Sequence, residues 1–412
     1  MNYKLTLIFF SCFAQSIFAQ TVNVNNSTEL QNALNNAQPG QTIVLANGVY
    51  NKSGGFSINA NVNGTAQNPI TLLGNANTII SANSTATGYG FWLKGNNYWI
   101  LDGFTVYNSK KGVMLDNSHH NVVRNITVKY IGDEAIHLRT YSSYNTVQNC
   151  YIDSVGIVSG PSGTAEGIYV GSANSNWVNY TGGNPDTCNY NIIDGNSFGD
   201  NIPSENIDVK EGTSHGSIIN NIFNGKGLNG VNSGDSWLDM KGNYYTISCN
   251  SGTTTLKDGL QSHIVYAGWG DYNIFYENST EAFSNAYYGI NIQTSGSAGT
   301  ATHNIVCNSN TVKAGAKGLS NVSTQSCNET CINTAVQNIY EENYFYVYPN
   351  PANDAIQIKT NMNNTPYIIR DLSGKIIQQG IISNSIDISI LDNGMYLLTT
   401  VENGQCVKLI KK

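Results

Sequence analysis

NIDVK, residues 206–210, and WLDMK, residues 237–241, share one frame: apolar, aspartate, apolar, lysine at their last four places. The frame recurs as GFWLK (90–94), GVMLD (112–116), AIHLR (135–139), GIYVG (167–171), GLQSH (259–263) and GINIQ (289–293). Successive copies start 22 or 23 residues apart where connections are short, and about 30 to 39 apart where loops intervene. Between them runs a second recurring element, NVVRNITV (121–128), NTVQNCYI (145–152), NYNIIDGNSF (189–198) and HNIVCNSNTV (303–312). Apolar and polar residues alternate, and Asn or Gly stands at the corners, where left-handed backbone is cheap. A repeat of this length with short strands and no helix predicts an all-β, parallel solenoid in which each coil buries its apolar side chains on its neighbours.

The second and fourth places of each frame, such as Ile207 and Val209, point inward; the third and fifth point outward. Coils stacked in register lie ~4.8 Å apart, so equal places form columns. The third place reads Trp92, Met114, His137, Tyr169, Asp208, Asp239, Gln261 and Asn291; the fifth reads Lys94, Asp116, Arg139, Gly171, Lys210, Lys241, His263 and Gln293. Asp208 is expected above Asp239, and Lys210 above Lys241. Like charges so placed repel. A charged third party would complete the arrangement: a cation between carboxylates or an acidic ligand over the amines. The bland alternative is a solvated lattice of diagonal Asp–Lys pairs. Glu134, Glu166, Glu205 and Asp258 precede the frame by one residue and add an acidic rim. Insertions at 154–165, 172–188 and 224–234 raise walls beside the charges, the usual shape of a binding groove.

The remaining composition narrows the surroundings. Only 11% of the 412 residues are charged, Gly and Tyr number 41 and 25, and the net charge of −7 offers nucleic acid and anionic membranes no general attraction. STELQNALNNAQ (27–38) reads as a helix with Ser27 as N-cap, placed to cover the open first coil. The N-terminus MNYKLTLIFFSCFAQSIFAQ reads as a secretory signal, residues 1–19, too short for a transmembrane segment. Its removal takes Cys12 and leaves seven cysteines, an odd number, for an exported chain. CNETC (327–331) is expected as a tight disulfide or as two partners of other cysteines. Nothing calls for a second copy, so a monomer is expected.

The coil repeat, AQPGQTIVLANGVY (37–50), GTAQNPITL (64–72) and the lysine on the grooved sheet resemble the right-handed parallel β-helix polysaccharide lyases, over residues 20–335. The opening segments are most similar to the alginate and chondroitin lyase branch, where a Glu five residues before the catalytic Lys is typical, as Glu205 stands to Lys210. That branch has an Arg about one coil after the Lys; here Lys241 stands there, and Arg139 lies two coils before. The Lys-base pectate lyases, which need a lysine and calcium, are the simpler match. The resemblance implies a secreted lyase that cleaves an acidic, uronate-containing polysaccharide by β-elimination. Calcium is expected on Asp208 and Asp239 with Glu166 or Glu205. Lys210 is expected as the base, its pKa pushed down by Lys241, Arg139 or the cation. His137, His263 and Tyr169 would protonate the leaving oxygen or stack a sugar, with Gln261 and Asn291 also binding substrate. The rivals are a glycoside hydrolase using Asp208 and Asp239, and a glycan-binding solenoid without chemistry.

After residue 335 the texture changes. YFYVYPNPANDAIQI (344–358), YIIRDLSGKII (367–377), LDNGMYLLTT (391–400) and VKLIKK (407–412) alternate as in a small antiparallel β-sandwich. They are similar to the C-terminal sorting domain of type IX secretion, over residues 343–412. That resemblance implies the type IX machinery as a partner and export to the medium or the cell surface.

Overall fold

The computed structural model describes residues 20–158 and 165–331, and in the tail 345–360, 366–371, 375–382, 385–400 and 406–412. The expected signal sequence, part of the 154–165 insertion and the linker lie outside them. The chain folds as two units, the first ending at Cys331 and the second starting at Ile332.

Three long parallel sheets, of eleven, ten and ten strands, run the length of the first unit, each strand paired with its counterpart one coil away. Together they make the right-handed β-helix expected from the repeat. All eight frame copies fall in one sheet, which Phe56–Ser57 and Gly318–Ser320 extend at either end. Its register is the one read from the sequence: Trp92, Met114, His137, Tyr169, Asp208, Asp239, Gln261 and Asn291 pair in unbroken succession. Ile207, Val209, Leu238 and Met240 are buried in the core between the sheets. The second recurring element is two strands rather than one, as in Val122–Arg124 and Thr127–Ile131. The chain turns between them at Asn125, φ 54°.

Two kinds of column hold the coils in register. At one corner Asn196, Asn221, Asn250, Asn278 and Asn310 form a buried ladder in which each backbone N–H donates to the next side-chain oxygen at 2.9–3.2 Å. At another corner Tyr98, His120, Tyr144, Tyr190, His215, Tyr244, Tyr272 and His303 stack ring on ring, centroids 4.4–5.1 Å apart. Seven of these rings stand on residues with φ between 58° and 62°, a conformation bulky side chains avoid. Stacking at the strand spacing offsets that strain.

The cap helix Ser27–Asn36 buries Leu30 and Leu34. Its N-cap is Asn26 rather than Ser27: the Asn26 side chain accepts from Glu29 N at 2.9 Å, and Glu29 reaches back to Asn25 N at 2.8 Å. That reciprocal pair satisfies two terminal amides, which a Ser one place later could not reach. The CNETC cysteines take other partners, Cys249–Cys331 and Cys307–Cys327, while Cys150 and Cys188 are buried free thiols.

The second unit has antiparallel sheets of three and four strands. Ile356, Ile369, Ile388, Leu398 and Leu409 are wholly buried in one shared cluster.

Candidate active site

Residues entering and leaving the frame strands line a groove over the sheet. Its floor is the third-place column, and loops cover that floor, so Asp208 and Asp239 are each only 2% exposed. A cavity of about 250 Å³ opens over them, lined by Glu166, Glu205, Asp208, Lys210, Ser233, Asp239, Lys241, His263, Val265 and Gln293. Four carboxyl groups there face two ammonium groups.

The stacked charges relieve one another in part. Lys241 Nζ sits between the two aspartates, 2.7 Å from Asp208 Oδ1 and 3.1 Å from Asp239 Oδ2, and Lys210 Nζ lies 2.5 Å from Asp208 Oδ2. The diagonal pairs therefore form, but buried rather than solvated. His263 Nε2 donates to Asp239 Oδ1 at 3.1 Å and Gln261 Oε1 at 2.8 Å.

Asp239 does not join the cation cluster expected of it. Burial works to raise its pKa, but Lys241 and His263 outweigh that and hold it well below the carboxylate range. The acidic cluster is instead Glu166, Glu205 and Asp208, whose oxygens lie within 4.8 Å of one another. Burial, then the charge of Asp208, pushes Glu166 up to about 7, and burial with Asp239 and Asp208 raises Glu205 well above its usual value. Glu166 Oε2 is buried with no hydrogen-bond partner. An all-oxygen donor set, an orphaned carboxylate oxygen and two surplus carboxyls fit a hard divalent cation.

Lys210 departs from expectation in the opposite sense. Burial opposes its charge, but the Asp208 ion pair outweighs burial and raises its pKa, where Lys241 and Arg139 were expected to lower it. Its Nζ also lies 4.9 Å from the centroid of the Tyr169 ring. Desolvation, then the charges of Asp208 and Glu166, push the Tyr169 phenol well up, so it carries its proton at neutral pH.

A second cavity of about 230 Å³ continues the groove toward the N-terminal coils, lined among others by Lys111, Glu134, His137, Arg139, Tyr169, Tyr180 and Lys210. Arg139 is fully engaged: its guanidinium grips Asp116 at 2.6 and 3.2 Å and stacks on Tyr180 at 4.1 Å. His137 donates through Nε2 to Gly171 O at 2.9 Å, and burial holds it neutral with no hydrogen bond at Nδ1. Its ring meets Tyr169 edge-on at 4.5 Å. Gln261 and Asn291 lie on the other side, in a cavity of about 440 Å³, where both donate to Asp258 Oδ2 at 3.1 and 2.8 Å.

Lys111 was missed as a groove residue. It pairs with Glu134, and burial pushes its amine down to about 8. The signal was present, since Lys111 precedes its frame by one residue, as Glu134, Glu166, Glu205 and Asp258 do. Tyr180, on the 172–188 insertion, belongs to no repeat and left no such trace.

Comparison with known proteins gives this geometry a family. The family described as Pel9A-like, right handed beta helix region, matches residues 14–208. The secretion system C-terminal sorting domain matches residues 346–412. The crystal structure of an alginate lyase from Paenibacillus sp. str. FPU-7 superposes with a TM-score of 0.63 at 34% identity, covering 74% of this chain and 99% of that one. Pectate lyase L of Thermoclostridium stercorarium is 28% identical over 137 residues, 31% of this chain and only 11% of that protein's length. The pectate lyase Pel9A structure covers 76% of this chain and 83% of its own at 14% identity and a TM-score of 0.46, too loose to bear on activity. Among the described residues no helix is long and apolar enough to cross a membrane, and the sorting domain marks the chain for type IX export to the cell surface or beyond. The chain belongs to the right-handed parallel β-helix polysaccharide lyases and carries a C-terminal secretion sorting domain.

Proposed function

We propose that this protein cleaves a uronate polysaccharide by β-elimination, with alginate as the first substrate to test. One observation carries the reading: a lysine and a protonated tyrosine, 4.9 Å from Nζ to ring centroid, stand beside three converging carboxyls on the floor of a walled groove. Alginate rests on the 34% identity to a lyase named for it, across nearly all of that protein.

Elimination removes the proton α to the uronate carboxylate, forms a carbon–carbon double bond and breaks the bond to the glycosidic oxygen. Lys210, as the free amine, takes the α-proton. Tyr169 gives its phenolic proton to the departing oxygen, and the Lys210 ammonium restores that proton to the phenolate beside it. A calcium ion held by Glu166, Glu205 and Asp208 would supply neutralisation of the uronate carboxylate, and would draw Asp208 from Lys210 so that the amine can lose its proton. Arg139 and Tyr180 wall the groove on the N-terminal side, and His263, 30% exposed in its side chain, meets substrate on the other.

The hydrolase reading is weakened by Asp239, which its neighbours keep ionised and so unable to act as an acid. A panel of uronate polymers, alginate and pectate included, assayed with and without chelator, separates the readings. Wild type should generate the absorbance of an unsaturated uronate, and Lys210→Ala should lower the rate by about 10²–10⁴-fold. New reducing ends without that absorbance would replace the lyase by a hydrolase. Activity surviving both the substitution and the chelator would remove the mechanism.

A further inference from the structure

Directly after each ring of the aromatic row stands a residue that turns into the core: Trp99, Asn121, Asn145, Asn191, Gly216, Tyr245, Asn273 and Asn304. The asparagines form a second ladder. Trp99 N, Asn121 N and Asn145 N each donate at 2.9 Å to the asparagine of the following coil, and Tyr245 N and Asn273 N do the same further on. Past Trp99 at its N-terminal end, the column departs from asparagine over two successive coils, at Gly216 and Tyr245. Those are the coils that carry Lys210 and Lys241.

The break is built for one ring. A Cβ on Gly216 would lie 2.3 Å from Tyr245 Cε1, and one on Gly242 would lie 2.7 Å from Tyr245 Cε2. Two glycines thus clear the space that the Tyr245 side chain fills, and neither adopts a left-handed conformation. The phenol ends on a polar group: Tyr245 Oη is 3.0 Å from Thr213 Oγ1. The Thr213 hydroxyl in turn donates to the Lys210 carbonyl at 2.8 Å. With the threonine proton committed to that carbonyl, the tyrosine is the donor of the first bond. Both residues are buried, at 2% and 0% exposure, so neither bond competes with water.

Lys210 needs such support. It stands one residue beyond the strand Ile207–Val209, where its N–H makes a last bond to Val170 O at 2.9 Å, and the chain then leaves the sheet through Gly212 at φ 98°. Thr213 therefore fixes the backbone from which the Lys210 side chain reaches the groove.

We propose that Tyr245 is a positioning residue for the catalytic lysine, acting through Thr213 on the Lys210 carbonyl; this rests on the reading of Lys210 as the base. The asparagine ladder is given up in these two coils because register alone does not aim an amine.

The test compares full-length wild type, Tyr245→Phe, Thr213→Val and Lys210→Ala on alginate, reading kcat, KM and the urea midpoint. Tyr245→Phe keeps the ring in its slot and removes only the donor. It should lower kcat by about tenfold with KM within about twofold, since small misplacement of a reacting group costs rate rather than binding. Thr213→Val should lower kcat in the same sense. A structural role alone would lower the urea midpoint and leave kcat per folded molecule unchanged, which overturns the proposal. If Lys210→Ala is inactive while Tyr245→Phe and Thr213→Val match wild type, the positioning role falls and the base survives. If Lys210→Ala is active, both fall.

Discussion

Two columns of the same solenoid obey opposite rules. In the corner ladders, asparagine sits on asparagine and ring on ring at the coil spacing, and repetition is itself the stabilising device: each amide satisfies its copy, each ring covers its copy. Over the groove the same register sets Asp208 on Asp239, and repetition is a liability. Identical amides are complementary because each is donor and acceptor at once; identical carboxylates are not. The grooved column therefore has to recruit groups from other places, Lys241 between the aspartates and His263 on the outer one, and still keeps surplus acid for something else to neutralise.

The contrast breaks most sharply at Lys241. Lys241→Met keeps the volume but leaves Asp208 and Asp239, each with a side chain 3% exposed, facing each other without the ammonium between them. We expect a loss of about 3–5 kcal/mol in urea unfolding. A loss below about 1 kcal/mol would mean that the stacked acids do not depend on it.

In the ladder the effect should be smaller. Asn145 accepts from Asn121 N at 2.9 Å and donates to Ser118 O at 2.9 Å, so Asn145→Ala strands two buried backbone groups, at about 1 kcal/mol each with water entering the vacated space. The same measurement checks it, and an unchanged midpoint would show that the ladder is ornamental.

Lys111 tests whether every groove lysine is held charged. Its amine is pushed down to about 8 by burial, against 10.5 unperturbed. Between those values the unfolded chain binds the proton that the folded chain has released, so stability should rise with pH from about 8 to about 10.5 on this group's account. Lys111→Met should remove that rise from the difference between melting curves of the two proteins. An equal slope in both would place the lowered amine in doubt.

The smallest change is expected at the aromatic row. Tyr144 stacks between His120 and Tyr190, at 4.9 and 4.8 Å, and is 50% exposed. Tyr144→Ala should cost about 1–2 kcal/mol from two ring contacts, while Tyr144→Gly should recover part of it, because the position sits at φ 60°. An alanine more stable than glycine would mean that the backbone there carries no strain for the stacking to offset.

The grooved column was legible because it depends only on local facts. Alternation of period two puts Ile207 and Val209 inside, and a repeated frame puts Asp208 beside Asp239 whatever the loops between them do. The aromatic row was equally periodic, one place before the second ladder's position in each of its eight coils, but an isolated Tyr or His at a turn reads as a surface residue. Lys111 shared the offset of the rim acids and was passed over because its charge is opposite. Tyr245, Thr213 and Tyr180 are of another kind: each matters because it departs from the repeat, and a departure has no pattern by which to be read.

The chain's order of residues therefore determined, by itself, the coil, its register, the identity of the charged column and the separate antiparallel tail, since all of these follow from short-range periodicity and from motifs contiguous in sequence. Only the tertiary structure decided which charges pair. Ion pairing and burial depend on distances of a few ångströms among side chains gathered from different coils, set by loops of irregular length. Those distances place Lys241 between the aspartates, turn Lys210 toward Asp208 and gather Glu166, Glu205 and Asp208 around one point.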